Sequence, residues 1–194
     1  MIDFELGWRA VPGMLNYNDG FCLQLAAKNV PRGHAFVETG AWCGRSLACI
    51  CEVLPFGAAV YSFDNYVEDS QAVTDGQPIP AWGAKNLREL VCAHYATRGV
   101  MAHTVVGEAA ESGRQYQGPP VSALFIDDHH SAEQVGQNLD AWLPHCVEEC
   151  LLLFHDYSHE PYGIKATCER ILPKVHFEHW GQREGSGIGI WRRG

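Results

Sequence analysis

The chain has 194 residues, 46% of them hydrophobic and 19% charged, and a formal net charge of −9 with histidine neutral. This length and composition suit one globular domain, residues 1–194, and exclude a disordered chain. The acidic balance argues against a nucleic-acid partner, because the one basic cluster, Arg192–Arg193, stands at the very end.

The opening residues, MIDFELGWRAVPG, lack the basic start and apolar run of a secretory leader. No apolar stretch approaches the ~20 residues that span a bilayer. A cytoplasmic protein with no membrane partner is expected. Within a lead-in over 1–33, NDGFCLQLAAKNV (18–30) reads as a helix. HAFVET (34–39) reads as the first strand. GRSLACICEVL (44–54) follows as a helix with Leu47, Ile50, Cys51 and Leu54 on one face. AAVYSFD (58–64) is the second strand. Residues 65–80, polar and rich in Pro and Gly, read as a long substrate or lid loop. Then come a helix (81–99), a strand (100–106), a short helix (108–116) and a fourth strand, VSALFID (121–127). A helix over 131–143 opens with Ser131 and Gln134 spaced as a capping box. CLLLFHD (150–156) is the fifth strand, YGIKATCERIL (162–172) a helix, and 174–180 with 187–193 a terminal strand pair. Alternating strands and helices predict an α/β fold: a mostly parallel sheet covered on both faces.

The eight cysteines form no C-x-x-C pair and sit mostly in apolar runs, which predicts reduced core thiols. The ten histidines include no H-E-x-x-H pattern, which disfavours a zinc hydrolase.

In open parallel sheets, ligands bind beyond the carboxyl ends of the strands. Here those ends carry Glu38, Asp64, Asp127 and the pair His155–Asp156. Four ionisable strand ends at one edge favour a site over incidental polar termination. After Glu38, Gly40 and Gly44 flank a strand-to-helix turn where a ligand can approach the backbone. The turn lacks the full G-x-G-x-x-G pattern, and the acid before it suits a ligand with a cationic or amine part. Asp64 stands where a carboxylate can accept ribose hydroxyls. Glycine turn and ribose acid together point to a nucleoside-containing cofactor. Asp127 and Asp156 end neighbouring strands and could share a hard cation such as Mg²⁺, with His155 tilting the choice toward a transition metal. His130 lies three residues after Asp127, just before the helix capped by Ser131. A helix N-terminus and a nearby cation both disfavour imidazolium, which leaves a neutral ring competent as a general base.

The stretches FVETGAWCGRS, FIDDHHSAEQVGQNLDAWLP and LLLFHDYSHEPYGIKA, with the lead-in GWRAVPGMLNYNDGFCLQLAA, resemble a known family. They are similar to class I S-adenosylmethionine-dependent methyltransferases, and more narrowly to the group that includes sugar O-methyltransferases of antibiotic and polysaccharide pathways. The resemblance covers about residues 7 to 175. It implies a Rossmann-like seven-stranded sheet with one antiparallel strand. It places Glu38, Gly40 and Ser46 near the methionine part of the cofactor, Asp64 on the ribose, and Gly107–Glu108 near the adenine. In metal-using members the positions of Asp127, His155 and Asp156 supply or flank a divalent cation, and that of His130 supplies the base. The chain departs from the family in having Asp128–His129 where many members have Gly-Asp, and HCVEEC where a Pro-Gly-Gly turn is usual.

The expected activity is methyl transfer from S-adenosylmethionine to a hydroxyl of a small-molecule acceptor, a sugar or glycosylated metabolite, with Mg²⁺ or another divalent cation. Asp127 and His130 are the expected catalytic pair. The rivals are a metal-independent methyltransferase and a non-catalytic cofactor-binding module. The acceptor is not named by the sequence, and a homo-oligomer is left open.

Overall fold

The computed structural model describes residues 2–66, 73–74, 77–129, 131–159, 163–172, 177–183 and 186–193. A 3-10 segment, Phe4–Ala10, leads into α1 (Tyr17–Lys28), then β1 (Ala35–Thr39), α2 (Arg45–Cys51) and β2 (Ala59–Asp64). A small ribbon, β3 (Val73–Thr74) with β4 (Gln77–Pro78), precedes α3 (Ala81–Ala96), β5 (Met101–Val106) and α4 (Ala109–Gln115). The chain closes with β6 (Val121–Ile126), α5 (Ala132–Trp142), β7 (Cys146–Phe154), α6 (Ile164–Ile171), β8 (Phe177–Arg183) and β9 (Ser186–Arg192).

The main sheet runs β5-β2-β1-β6-β7-β9-β8. The pairs from β5 to β7 are parallel, and β9 runs antiparallel to both β7 and β8. The fold is the expected mostly parallel, Rossmann-like sheet. All five residues of β1 are buried, as a strand covered on both faces requires. Phe36 faces one core with Leu23, Leu47, Ile50 and Phe125, beneath α1, α2 and α3. Its neighbour Val37 faces the other, with Leu124, Leu139, Trp142, Phe154 and Cys168. Every residue of α2 after Arg45 is buried. All eight cysteines are free thiols, and seven are buried.

In the expected 65–80 loop the described residues include the β3–β4 ribbon, while 67–72 and 75–76 lie outside the described residues. Two local expectations are corrected. Strand β7 begins at Cys146 rather than 150, because its register against β6 shifts and Glu149 turns out with φ 68°. Such an irregularity breaks the two-residue period that sequence patterning relies on. Helix α2 ends at Cys51, before the Pro55 turn.

From β1 the chain steps outward to β2 and β5, then crosses to place β6 on the other side of β1. That reversal opens a crevice above the carboxyl ends of β1 and β6.

Candidate active site

The turn after β1 is packed against the end of β6. Gly40 has φ 79°, and a Cβ there would stand 2.1 Å from the carbonyl oxygen of Asp127. Only glycine allows both the left-handed backbone and this approach. Gly44 has φ 87° and caps α2; a Cβ there would stand 3.1 Å from Cα of Arg88. It packs against α3 and does not line the cavity described below. Glu38 is fully buried beneath the turn and accepts a hydrogen bond from Ser62 Oγ at 2.7 Å. Burial pushes its carboxyl up to about 7, although hydrogen bonds from Ser46 and Ser62 and the nearby Arg88 pull the other way.

Asp64 closes β2. Its Oδ2 accepts the N–H of Trp42 at 2.7 Å and its Oδ1 the N–H of Tyr66 at 2.9 Å. Both bonded residues carry positive φ, 40° and 52°. The carboxylate therefore ties the turn after β1 to the chain leaving β2. Arg88 of α3, which carries no motif in the sequence, is fully buried below them. It donates to the carbonyls of Ser62 at 3.1 Å and Val105 at 3.2 Å, and its guanidinium lies 4.9 Å from the Tyr66 ring centre. A buried cation beside Glu38 leaves no pattern in a linear sequence.

Gly107 and Glu108 follow β5. Glu108 caps α4 by accepting the N–H of Ala109 at 2.9 Å, and it accepts a second bond from Gln134 Nε2 at 2.6 Å. Ser131 Oγ accepts the N–H of Gln134 at 3.1 Å, as a capping box requires. The reciprocal half is diverted: the Gln134 side chain reaches across to Glu108.

At the ends of β6 and β7 the carboxylates converge on one imidazole. His155 Nδ1 lies 2.9 Å from Asp127 Oδ1 and 3.6 Å from Asp156 Oδ2. Its Nε2 lies 3.4 Å from Oδ2 of Asp19, a fully buried residue of α1. Burial alone would push the ring down. The carboxylates of Asp127, Asp156 and Asp19 outweigh it and hold His155 well above the usual imidazole range. Asp128 is bonded through both oxygens to Asn138 Nδ2 at 2.8 Å, and burial pushes its carboxyl up to about 6. His129 is exposed, and His130 lies outside the described residues. Among the described residues, no group of three His, Cys, Asp or Glu side chains is arranged to hold a metal. The physical reason is that His155, expected as a ligand, faces a carboxylate at each ring nitrogen. Asp127 and Asp156 at these two strand ends offer oxygens of the kind a hard divalent cation takes.

These ends enclose a cavity of about 1000 Å³. Gly40, Ser46, Asp64, Gly107, Glu108, Asp127, His155 and Asp156 all line it, together with Asp128, His129 and Gln134. Glu38 and Gly44 lie behind its wall. Gly13, Met14 and Leu15, from the N-terminal lead-in, form part of the rim. Arg45 holds them there. Its guanidinium donates to the carbonyls of Arg9, Val11, Gly13 and Leu15, and it lies 5.9 Å from the Trp8 ring centre. The volume is at the upper end for small-molecule sites and has room for a nucleoside cofactor beside a second molecule.

The chain is similar in structure to the O-methyltransferase of Bacillus cereus in complex with SAH (16% identity; 96% of this chain and 86% of that one; TM-score 0.71). It is also similar to CalS11, the TDP-rhamnose 3'-O-methyltransferase of calicheamicin biosynthesis (17% identity; 90% and 77% covered; TM-score 0.67). The O-methyltransferase NovP is a third such structure (17% identity; 93% and 81% covered; TM-score 0.67). At these identities the likeness is one of fold. No curated protein matches the chain. The family described as a methyltransferase domain matches residues 37–157, from the middle of β1 to just past Asp156. That stretch is well over half the chain and carries all five strand ends that bound the crevice. The chain belongs to this methyltransferase family and is an S-adenosylmethionine-dependent enzyme with the class I, Rossmann-like fold.

Proposed function

We propose that the protein is a single-domain cytoplasmic O-methyltransferase acting on a hydroxyl of a small molecule, a sugar or glycosylated metabolite. The observation that carries this reading is one cavity with the glycine turn and Asp64 on one side and Asp127, His155 and Asp156 on the other. The sugar acceptor is supported by the likeness to the TDP-rhamnose 3'-O-methyltransferase.

In this reading Gly40 and Ser46 receive the methionine part of the cofactor, with Glu38 behind them and Gly44 shaping the turn. Asp64 accepts the ribose hydroxyls, and Gly107 and Glu108 meet the adenine. Bound S-adenosylmethionine supplies an electrophilic methyl group. The residues around Asp127 hold the acceptor so that its oxygen faces that methyl; such positioning lowers the barrier by removing translational freedom. An alcohol keeps its proton at neutral pH, so the oxygen needs a base. His130 takes that proton, a role worth roughly 10²–10⁴-fold. The reading is supported by its chain neighbours His129 and Ser131, which both line the cavity. Asp127 and Asp156 would hold a divalent cation, Mg²⁺ or another, which would supply Lewis acidity to the acceptor oxygen.

A second reading, metal-independent transfer, is favoured by one observation: the His155 ring already gives Asp127 and Asp156 a cationic partner. One experiment separates the two. Release of S-adenosylhomocysteine is measured against a panel of nucleotide sugars and glycosides, with and without chelator, for the wild type and His130→Ala. The expected result is chelator-sensitive turnover, lost in His130→Ala while calorimetry shows cofactor binding kept. Chelator-resistant turnover selects the second reading. Full activity of His130→Ala overturns the role of His130, and cofactor binding with no product from any acceptor overturns the enzyme reading.

A further inference from the structure

Asp19 lies on α1, outside the stretch matched by the methyltransferase family and far in sequence from every strand end of the crevice. It is fully buried, and its Oδ1 has no hydrogen-bond partner among the described residues. Its Oδ2 accepts a bond from Asn16 Nδ2 and faces His155 Nε2 at 3.4 Å. Asn16 in turn caps α1 by accepting the N–H of Asp19 at 3.0 Å.

Two explanations compete. An acid in the first turn of a helix is favoured by the helix dipole, and Asp19 would then be a capping residue that happens to be covered. That interaction is worth only a fraction of what burying a carboxylate costs. Helix-capping acids achieve it while remaining in water. An acid at zero exposure needs polar partners, and the side-chain nitrogens that face Asp19 among the described residues are Asn16 Nδ2 and, at 3.4 Å, His155 Nε2. The His155 ring is itself enclosed: Phe125 lies edge-on at 6.1 Å between ring centres, and Asp127 sits at the opposite nitrogen. With Asp127 at 2.9 Å from Nδ1 and Asp19 at 3.4 Å from Nε2, one ring orientation turns both nitrogens toward carboxylates.

We propose that Asp19 is a positioning residue of the active site: by engaging His155 Nε2 it fixes the ring so that Nδ1 is presented to Asp127 at the cavity floor. The inference rests on the reading that Asp127 and His155 bound the acceptor side of the cavity. Asp19 touches neither cofactor nor acceptor. It acts through His155, and α1 becomes part of the catalytic apparatus rather than packing alone.

The test uses full-length protein labelled with ¹⁵N at histidine, in the presence of S-adenosylhomocysteine, with His155 signals assigned from His155→Gln. In the wild type, the expected signature is a His155 Nε2–H protected from solvent exchange and a single ring environment. Asp19→Leu should abolish that protected N–H. Asp19→Asn, which keeps the shape, should weaken the protection at least tenfold. Both should bind S-adenosylhomocysteine within about twofold of wild type by calorimetry, and with a turned-over acceptor they should lower kcat while leaving KM for S-adenosylmethionine unchanged. If Asp19→Leu does not fold, the Asn variant decides. Unchanged His155 signals in a folded Asp19→Asn protein overturn the proposal, as does a wild type lacking the protected N–H. Because the spectra need no acceptor, this outcome is distinguishable from a failure to find methyl transfer at all.

Discussion

Gly40 and Asp127 meet backbone to backbone: a Cβ on the glycine would stand 2.1 Å from the aspartate's carbonyl oxygen. The contact sets the distance between the turn after β1 and the end of β6, and so the width of the crevice. Gly40→Ala must both adopt a left-handed backbone and push β6 away. A loss of about 3 kcal/mol or more is expected, measured by urea unfolding, together with failure to bind S-adenosylhomocysteine. An alanine variant with wild-type stability would show that the two backbones can part without cost.

Asp64 holds the N–H groups of Trp42 and Tyr66 and faces the cavity. Asp64→Ala loses those two bonds and the proposed ribose contacts together. Affinity for S-adenosylhomocysteine should fall by roughly tenfold to hundredfold by calorimetry, the worth of one or two charge-assisted hydrogen bonds. Asp64→Asn should fall less, since it keeps one acceptor oxygen.

Much of this site was legible because chemistry clusters at strand ends. Glu38, Asp64, Asp127 and Asp156 each stop an apolar run, and a parallel sheet brings such stops to one edge. What escaped is what depends on three dimensions alone. Asp19 and Arg88 each sit in a helix with other polar residues, and nothing local separates a buried charge from a solvated one. Gln134 read as a reciprocal cap because spacing shows the partner a side chain can reach, not the better partner across the cavity. The 3-10 segment at Phe4–Ala10 has no apolar period of its own; its Trp8 N–H is held by Glu52 Oε1 at 2.6 Å, a contact made from α2's far end.

The raised Glu38 carboxyl makes stability depend on pH. Its folded value is about 7 against an ordinary 4.5, so between those values the folded protein keeps a proton that the unfolded chain has lost. Its contribution is fully present below about pH 4.5 and is lost as pH rises through about 7, a change on the order of 3 kcal/mol. Asp128, raised to about 6, acts in the same direction over a lower window. Glu38→Gln should flatten the upper part of the slope and be the more stable protein at about pH 8, as read by urea unfolding without cofactor. Parallel pH curves for the two proteins would show that Glu38 titrates normally.

Arg45 gathers four carbonyls from residues 9 to 15 onto one guanidinium. Lysine keeps the charge but not the planar fork. Arg45→Lys and Arg45→Ala should both release the rim at Gly13–Leu15. Limited proteolysis should then cut within residues 9–15 at least about tenfold faster, with a stability loss of about 2 kcal/mol and an unchanged circular dichroism spectrum of the sheet. Equal resistance in the lysine variant would show that charge alone holds the rim.

The contact between Asp19 and His155 joins the lead-in helix to the end of the fifth parallel strand. On a ribosome, α1 emerges early and must wait for nearly the whole chain before its carboxylate finds a counter-charge. Contacts so distant in sequence form late, after loop-closure entropy has been met by nearer ones. The pairing of Asp19 with His155 is therefore expected among the last contacts to form.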